Sequence, residues 1–166
     1  LLKSCRSIDL QSNMIADTEM TLLTVGVRPK VLTSMNVSRN SLGDQGIKIL
    51  VKALTAEGRC GVLHTLDCAH NGIGAEGAFA LSQLIKASTS LTRLDIRGND
   101  VADAGLFAMG RALLQSSQCP LSFIRSDAFD LNEDTETLKL EPFLDATSTV
   151  LLLAAALQHN INIGTF

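Results

Sequence analysis

The chain has 166 residues, 46% of them hydrophobic, which is enough for one domain with a real core. Its net charge is −3, from 17 acidic and 14 basic residues, and no basic run or adjoining aromatic platform points to nucleic acid. With 4% aromatics and no Trp or Tyr, the core must be assembled from Leu, Ile, Val, Ala and Met, in many small and similar layers. The longest uncharged apolar run, Val150 to Leu157, is eight residues and too short to span a bilayer. No secretory leader is legible, and the opening at Leu1 rather than Met leads us to expect an excerpt of a longer chain. The cysteines (Cys5, Cys60, Cys68, Cys119) form no C-x-x-C pair and have no His at metal-ligand spacing. Two of them fall in core slots below, so reduced thiols and an intracellular setting are expected.

The first predicted element is Cys5-Arg-Ser-Ile8-Asp-Leu10-Gln-Ser-Asn13, which reads apolar-x-x-apolar-x-apolar-x-x-Asn. The same pattern returns as Leu32 to Asn40, Leu63 to Asn71 and Leu91 to Asn99, with the asparagines 27, 31 and 28 residues apart. Alternation over such a short stretch predicts a strand, with Ile8/Leu10, Met35/Val37, Leu66/Cys68 and Leu94/Ile96 turned into the core. Two residues beyond each Asn stands an apolar residue: Ile15, Leu42, Ile73 and Val101. A small-residue bend follows (Gly43 to Gly46, Gly74 to Gly77, Ala102 to Gly105). Helical spacing then predicts buried faces of Ile47, Leu50, Val51 and Leu54; of Phe79, Leu81, Leu84 and Ile85; and of Leu106, Met109, Leu113 and Leu114. Gly43-x-x-Gly46 and Gly74-x-x-Gly77 lack the Lys-Ser/Thr of a phosphate loop, so they read as glycines of a tight bend and close packing.

A strand-bend-helix unit cannot bury its apolar side alone, and only stacking gives it a core. The asparagines Asn13, Asn40, Asn71 and Asn99 form an expected structural ladder, each amide bonding backbone groups freed at the strand end, including those of the neighbouring unit. The pattern, covering roughly Cys5 to Ser116, resembles the ribonuclease-inhibitor-type class of leucine-rich repeats. Ran GTPase-activating proteins, tropomodulin and the sensor arms of nucleotide-binding immune receptors share that repeat class. The resemblance implies an α/β solenoid: a right-handed β-α superhelix with a parallel sheet on the concave face and helices on the convex face. The expected division is a single domain over 1–166, with repeats at about 3–30, 31–61, 62–90 and 91–120 and an irregular repeat or cap over 121–166.

After Pro120 the register is lost. Leu121 to Asp130 begins like a strand, Thr137 to Phe143 is a second strand candidate, and Val150 to Gln158 reads as a helix.

Such solenoids commonly bind on the concave sheet. One outward column is expected to hold Asp9, Asn36, Asp67, Asp95 and then Lys139; the next holds Gln11, Ser38, Ala69, Arg97 and then Glu141; a third holds Ser7, Ser34, Thr65 and Arg93; and Arg39 and His70 stand on the rim. This is an acidic stripe with an Arg93/Arg97 basic corner, suited to a mixed-charge protein surface. The plainer reading of the stripe is that Asp between two apolar slots merely solvates the sheet. A cation shared by Asp67 and Asp95 on strands about 4.8 Å apart is disfavoured by Asn36 and the shortage of other oxygen ligands. A Cys68–His70 dyad is disfavoured because Cys68 fills a core slot. No catalytic, metal or cofactor residue is therefore assigned. The expected function is a protein-interaction module or scaffold segment holding a protein partner, with no nucleic acid and no membrane. The alternatives are a GTPase regulator like the Ran GTPase-activating family and a structural subunit of a large assembly.

Overall fold

The computed structural model describes residues 5–27, 30–56, 61–127 and 130–131. Strand and helix alternate: β1 (Ser7–Asp9), α1 (Asp17–Gly26), β2 (Ser34–Asn36), α2 (Gly43–Leu54), β3 (Thr65–Asp67), α3 (Ala75–Ala87), β4 (Arg93–Asp95), α4 (Ala102–Gln115), β5 (Phe123–Arg125) and β6 (Asp130–Leu131). The first five strands pair in parallel in sequence order, and β6 pairs antiparallel with β5. The helices pack on one another in the same order and form the second layer. Helix layers need about 8–10 Å per element and strands about 4.8 Å, so the sheet lies on the inner, concave side. This is the α/β solenoid of stacked repeats.

The register is exact across units: Ile8, Met35, Leu66, Leu94 and Ile124 oppose one another, and all but Ile8 are fully buried. Val37, Cys68 and Ile96 fill the next inward slots, while Leu10 is only partly covered in the first unit. Ile15, Leu42, Ile73 and Val101 are all buried under the bends.

Two helix positions depart from the expected faces. Phe79 is 56% exposed and Leu114 is 41% exposed. Neighbouring helices meet through small residues, and a large ring has no room between them. A Cβ on Gly105 would lie 2.6 Å from the Cβ of Ala78, and one on Gly77 would lie 2.7 Å from Asp44 Oδ1 and 3.3 Å from its Cα. The buried face of α3 is therefore Gly77, Ala78, Leu81, Leu84 and Ile85, and that of α4 includes Gly105, Met109, Ala112 and Leu113. A Cβ on Gly46 would lie 2.9 Å from the Cβ of Leu42 and 3.6 Å from the Cα of Asp17.

The same bend supplies a cap from the preceding unit. Asp44, in the first turn of α2, accepts the N–H groups of Gly74 (2.7 Å) and Gly77 (2.8 Å) at the start of α3. A carboxylate there satisfies two orphan donors and faces the positive end of the helix. In α1 the matching glycine position holds Glu19, which accepts the N–H of Ala16 at 3.0 Å and so caps its own helix. That bond, with the Glu19 N–H and the Thr18 hydroxyl, holds the Glu19 carboxyl below its usual range.

In the irregular region β5 is followed by β6 at Asp130–Leu131, a tight antiparallel return. The strand candidate Thr137 to Phe143 and the helix candidate Val150 to Gln158 lie outside the described residues.

Candidate functional site

The asparagine amides tie each unit to the one before it. Asn71 is buried, and its Nδ2 donates to the carbonyls of Cys68 and Ala69 in its own unit (both 3.1 Å) and of Val37 in the preceding one (3.0 Å). Asn40 Nδ2 reaches Leu10, Val37 and Ser38, and Asn99 Nδ2 reaches Cys68, Ile96 and Arg97. Their Oδ1 atoms accept from Asn13 and Ile15, and from Asn71 and Ile73, at 2.9–3.1 Å. Asn13 is exposed, and its Nδ2 donates to Gln11 in its own unit.

For such an amide to turn inward, the residue before it takes the left-handed conformation: Ser12, Arg39, His70 and Gly98 have φ of 59°, 56°, 53° and 66°. Three carry a side chain despite a cost of about 1–2 kcal/mol each. Arg39 and His70 are thereby exposed at the rim. At the fourth position the residue must be small, because a Cβ on Gly98 would fall inside the His70 imidazole.

The acidic column has a local structural job. Asp9, Asn36, Asp67 and Asp95 each accept, on Oδ1, the N–H two residues on, from Gln11, Ser38, Ala69 and Arg97, at 3.0–3.1 Å. This side-chain turn closes the strand end, which explains why Asp and Asn alternate freely in the column. Asp95 is buried rather than solvated. Arg97 binds it through Nε (3.0 and 3.2 Å) and Nη2 (2.6 Å), and Arg125 lies 3.9 Å away.

The Arg93/Arg97 corner is thus divided. Arg97 offsets Asp95, while Arg93 stacks over the Phe123 ring at 5.5 Å, as Arg125 does from its own strand. The columns also end differently from the expectation. Arg125 opposes Asp95, and Asp127 follows it, so these two occupy the places given to Lys139 and Glu141. Lys139 and Glu141 lie outside the described residues. The signal was present: Leu121 stands 30 residues after Leu91, and Ile124 keeps the slot of Leu94. A polar residue, Ser126, in the slot of Ile96 obscured it; its side chain is buried there.

These columns enclose a cavity of about 450 Å³ on the concave side, lined by Gln11, Ser38, Arg39, Asp67, Ala69, His70, Arg97 and Asp127. Ser38 and Ala69 are small and buried, and they form the floor. Four residues expected to meet a partner (Arg39, Asp67, His70, Arg97) converge here. Asp9, Asn36, Asp95 and Arg93 do not line it. Asp67 is half-buried, and burial, then the nearby Asp95 charge, push its carboxyl above the usual range against the pull of the Ala69 N–H, Arg97 and Arg125.

Cys68 is fully buried, burial pushes its thiol far up, and its Sγ donates to the Asp95 carbonyl at 3.3 Å, so it offers His70 no nucleophile. Cys119 is buried and Cys5 half-buried; Cys60 lies outside the described residues. Among the described residues no three His, Cys, Asp or Glu side chains are placed to hold a metal ion. No described helix is long and apolar enough to cross a membrane.

A family model for the leucine-rich repeat matches residues 29–51, 61–82 and 87–110. These stretches carry the second to fourth strands and most of their helices. Human NACHT, LRR and PYD domains-containing protein 7 is 32% identical over 117 residues, 70% of this chain. Ribonuclease inhibitor of Sus scrofa is 27% identical over 122 residues, also 70% of this chain.

The chain is a leucine-rich-repeat protein with ribonuclease-inhibitor-like repeats. It spans 12% of the length of the human relative and 26% of the porcine one. Leucine-rich-repeat domains generally serve protein–protein interaction.

Proposed function

We propose that this leucine-rich-repeat chain holds a protein partner on its concave face, at the cavity bounded by Arg39, Asp67, His70 and Arg97. The observation that supports this most is the convergence of those side chains, from three successive units, on one open hollow whose floor is reduced to Ser38 and Ala69. The ladder asparagines and the strand-end turns use their polar atoms internally, whereas Arg39 and His70 project from strained backbone into solvent. Asp9, Asn36 and Arg93 belong to the wider proposed contact surface. One relative is named a ribonuclease inhibitor, and a ribonuclease is accordingly one partner to try.

The test is a quantitative pull-down comparing three forms: the parent, Arg39→Trp with His70→Trp, whose bulk covers the mouth of the cavity, and Phe79→Ser with Phe107→Ser on the helix layer, where both rings are exposed. Partners should be lost with the concave pair and kept with the helix pair. Retention by the concave pair together with loss by the helix pair overturns the reading.

A further inference from the structure

We infer that the concave cavity is a receptor for a basic side chain, arginine in the first place, carried by the protein partner and seated between Asp67 and Asp127. The inference rests on the concave-face reading and specifies its chemistry.

The cavity holds charges of both signs, and their environments decide which of them a partner satisfies. Arg39 and His70 are exposed, so water already solvates them and leaving them free costs little. Arg97 is engaged by Asp95. Asp67 is different. It is half-buried, its Oδ1 accepts the Ala69 N–H at 3.0 Å, and no cation among the described residues lies within ion-pair distance of it. Its nearest like charge, Asp95, stands beside it in register on the next strand. An incompletely compensated carboxylate at the wall of a hollow is what an incoming guanidinium stabilises most.

Asp127 supplies the second carboxylate. Both of its oxygens accept the Gly98 N–H, at 2.8 and 2.9 Å, which fixes it at the rim while its remaining lone pairs stay open to solvent. The small floor leaves depth for an unbranched stem, and Gln11 at the far end adds an amide able to accept from the guanidinium. Burial raises the Asp67 carboxyl, so a bound cation should draw its titration back down. The titratable and charged groups facing it are Asp95, Arg97 and Arg125, with Arg39, His70 and Asp127 around the cavity.

The capped tripeptides Gly-Arg-Gly and Gly-Glu-Gly serve as probes for the 166-residue protein, read by carboxyl-carbon NMR of Asp67 and Asp127. The arginine probe should shift both resonances saturably and lower the Asp67 midpoint. Asp67→Asn should weaken its binding at least fivefold while leaving the fold intact, because Asn36 makes the same turn hydrogen bond in its own unit. Preferential binding of the glutamate probe, absence of saturation by the arginine probe, or full affinity in Asp67→Asn overturns the inference. Failure of the concave-face reading itself registers elsewhere, as a partner retained by Arg39→Trp with His70→Trp.

Discussion

At the scale of single residues, Asp67 links structure to a measurable pH dependence. Its carboxyl is raised in the folded state, so the folded protein keeps that proton to higher pH than the unfolded chain does. Its contribution to stability is therefore greatest at low pH and declines as pH climbs from the ordinary carboxylate value through the raised one. Asp67→Asn removes that decline. Urea unfolding between pH 4 and 7 should show the variant gaining on the parent with rising pH, then holding a constant advantage; an advantage that shrinks with pH contradicts the assignment. Gly98 makes a second residue-scale case. An alanine there meets both a positive φ and the His70 ring. Gly98→Ala should cost about 2 kcal/mol, of which His70→Ala restores only the steric part, leaving about 1 kcal/mol for the backbone. Arg97 corrects the impression of a free surface cation: it is the principal partner of a buried carboxylate, so Arg97→Glu should destabilise the protein as well as change its charge.

At the scale of the element, each helix end and strand end is completed by its neighbour. Asn71→Ala removes three buried hydrogen bonds, to the Val37, Cys68 and Ala69 carbonyls, each of which keeps one other donor, and should cost about 3 kcal/mol. Asn13→Ala, at the exposed first rung, should cost well under half of that, and chemical denaturation of the pair measures the difference. Asp44→Ala removes the cap on α3 supplied from α2, for about 1 kcal/mol. A larger loss of helix signal than of global stability would mean that α3 frays independently, which the cap argument does not allow. Gly77 and Gly105 belong to the same device, since the short distance between helices that places Asp44 over α3 also excludes a side chain at those positions.

At the scale of the molecule, contacts run between sequential neighbours, helix on helix and strand on strand. Stability should then be carried by the interfaces between units rather than by one central core. Among the described residues β1 lies at the sheet edge and pairs on one side only, with Ile8 and Leu10 partly exposed, whereas β3 is flanked on both sides with Leu66 fully buried. Amide hydrogen exchange should therefore be markedly slower at Leu66 than at Ile8. Equal rates would show that the stack opens only as a single unit.

Much of this was legible in the sequence because a repeat states its own register. A fixed apolar-x-x-apolar-x-apolar-x-x-Asn phrase, met four times, determines which residues point inward, which asparagine ends each strand and which columns share the concave face. Hydrophobic alternation is a local physical property, and strand sides follow from it directly. What only the tertiary structure decided lies between units. The short distance between adjacent helices turned Phe79 outward, a choice that periodicity within one helix cannot make. The pairing of β5 put Arg125 and Asp127, rather than Lys139 and Glu141, at the ends of the columns. The covering of Asp95 by two arginines, and the hollow left over Ser38 and Ala69, arise from side chains on different strands meeting in space. Linear spacing reports which face a residue occupies; burial and charge compensation depend on what the neighbouring repeat brings to that face.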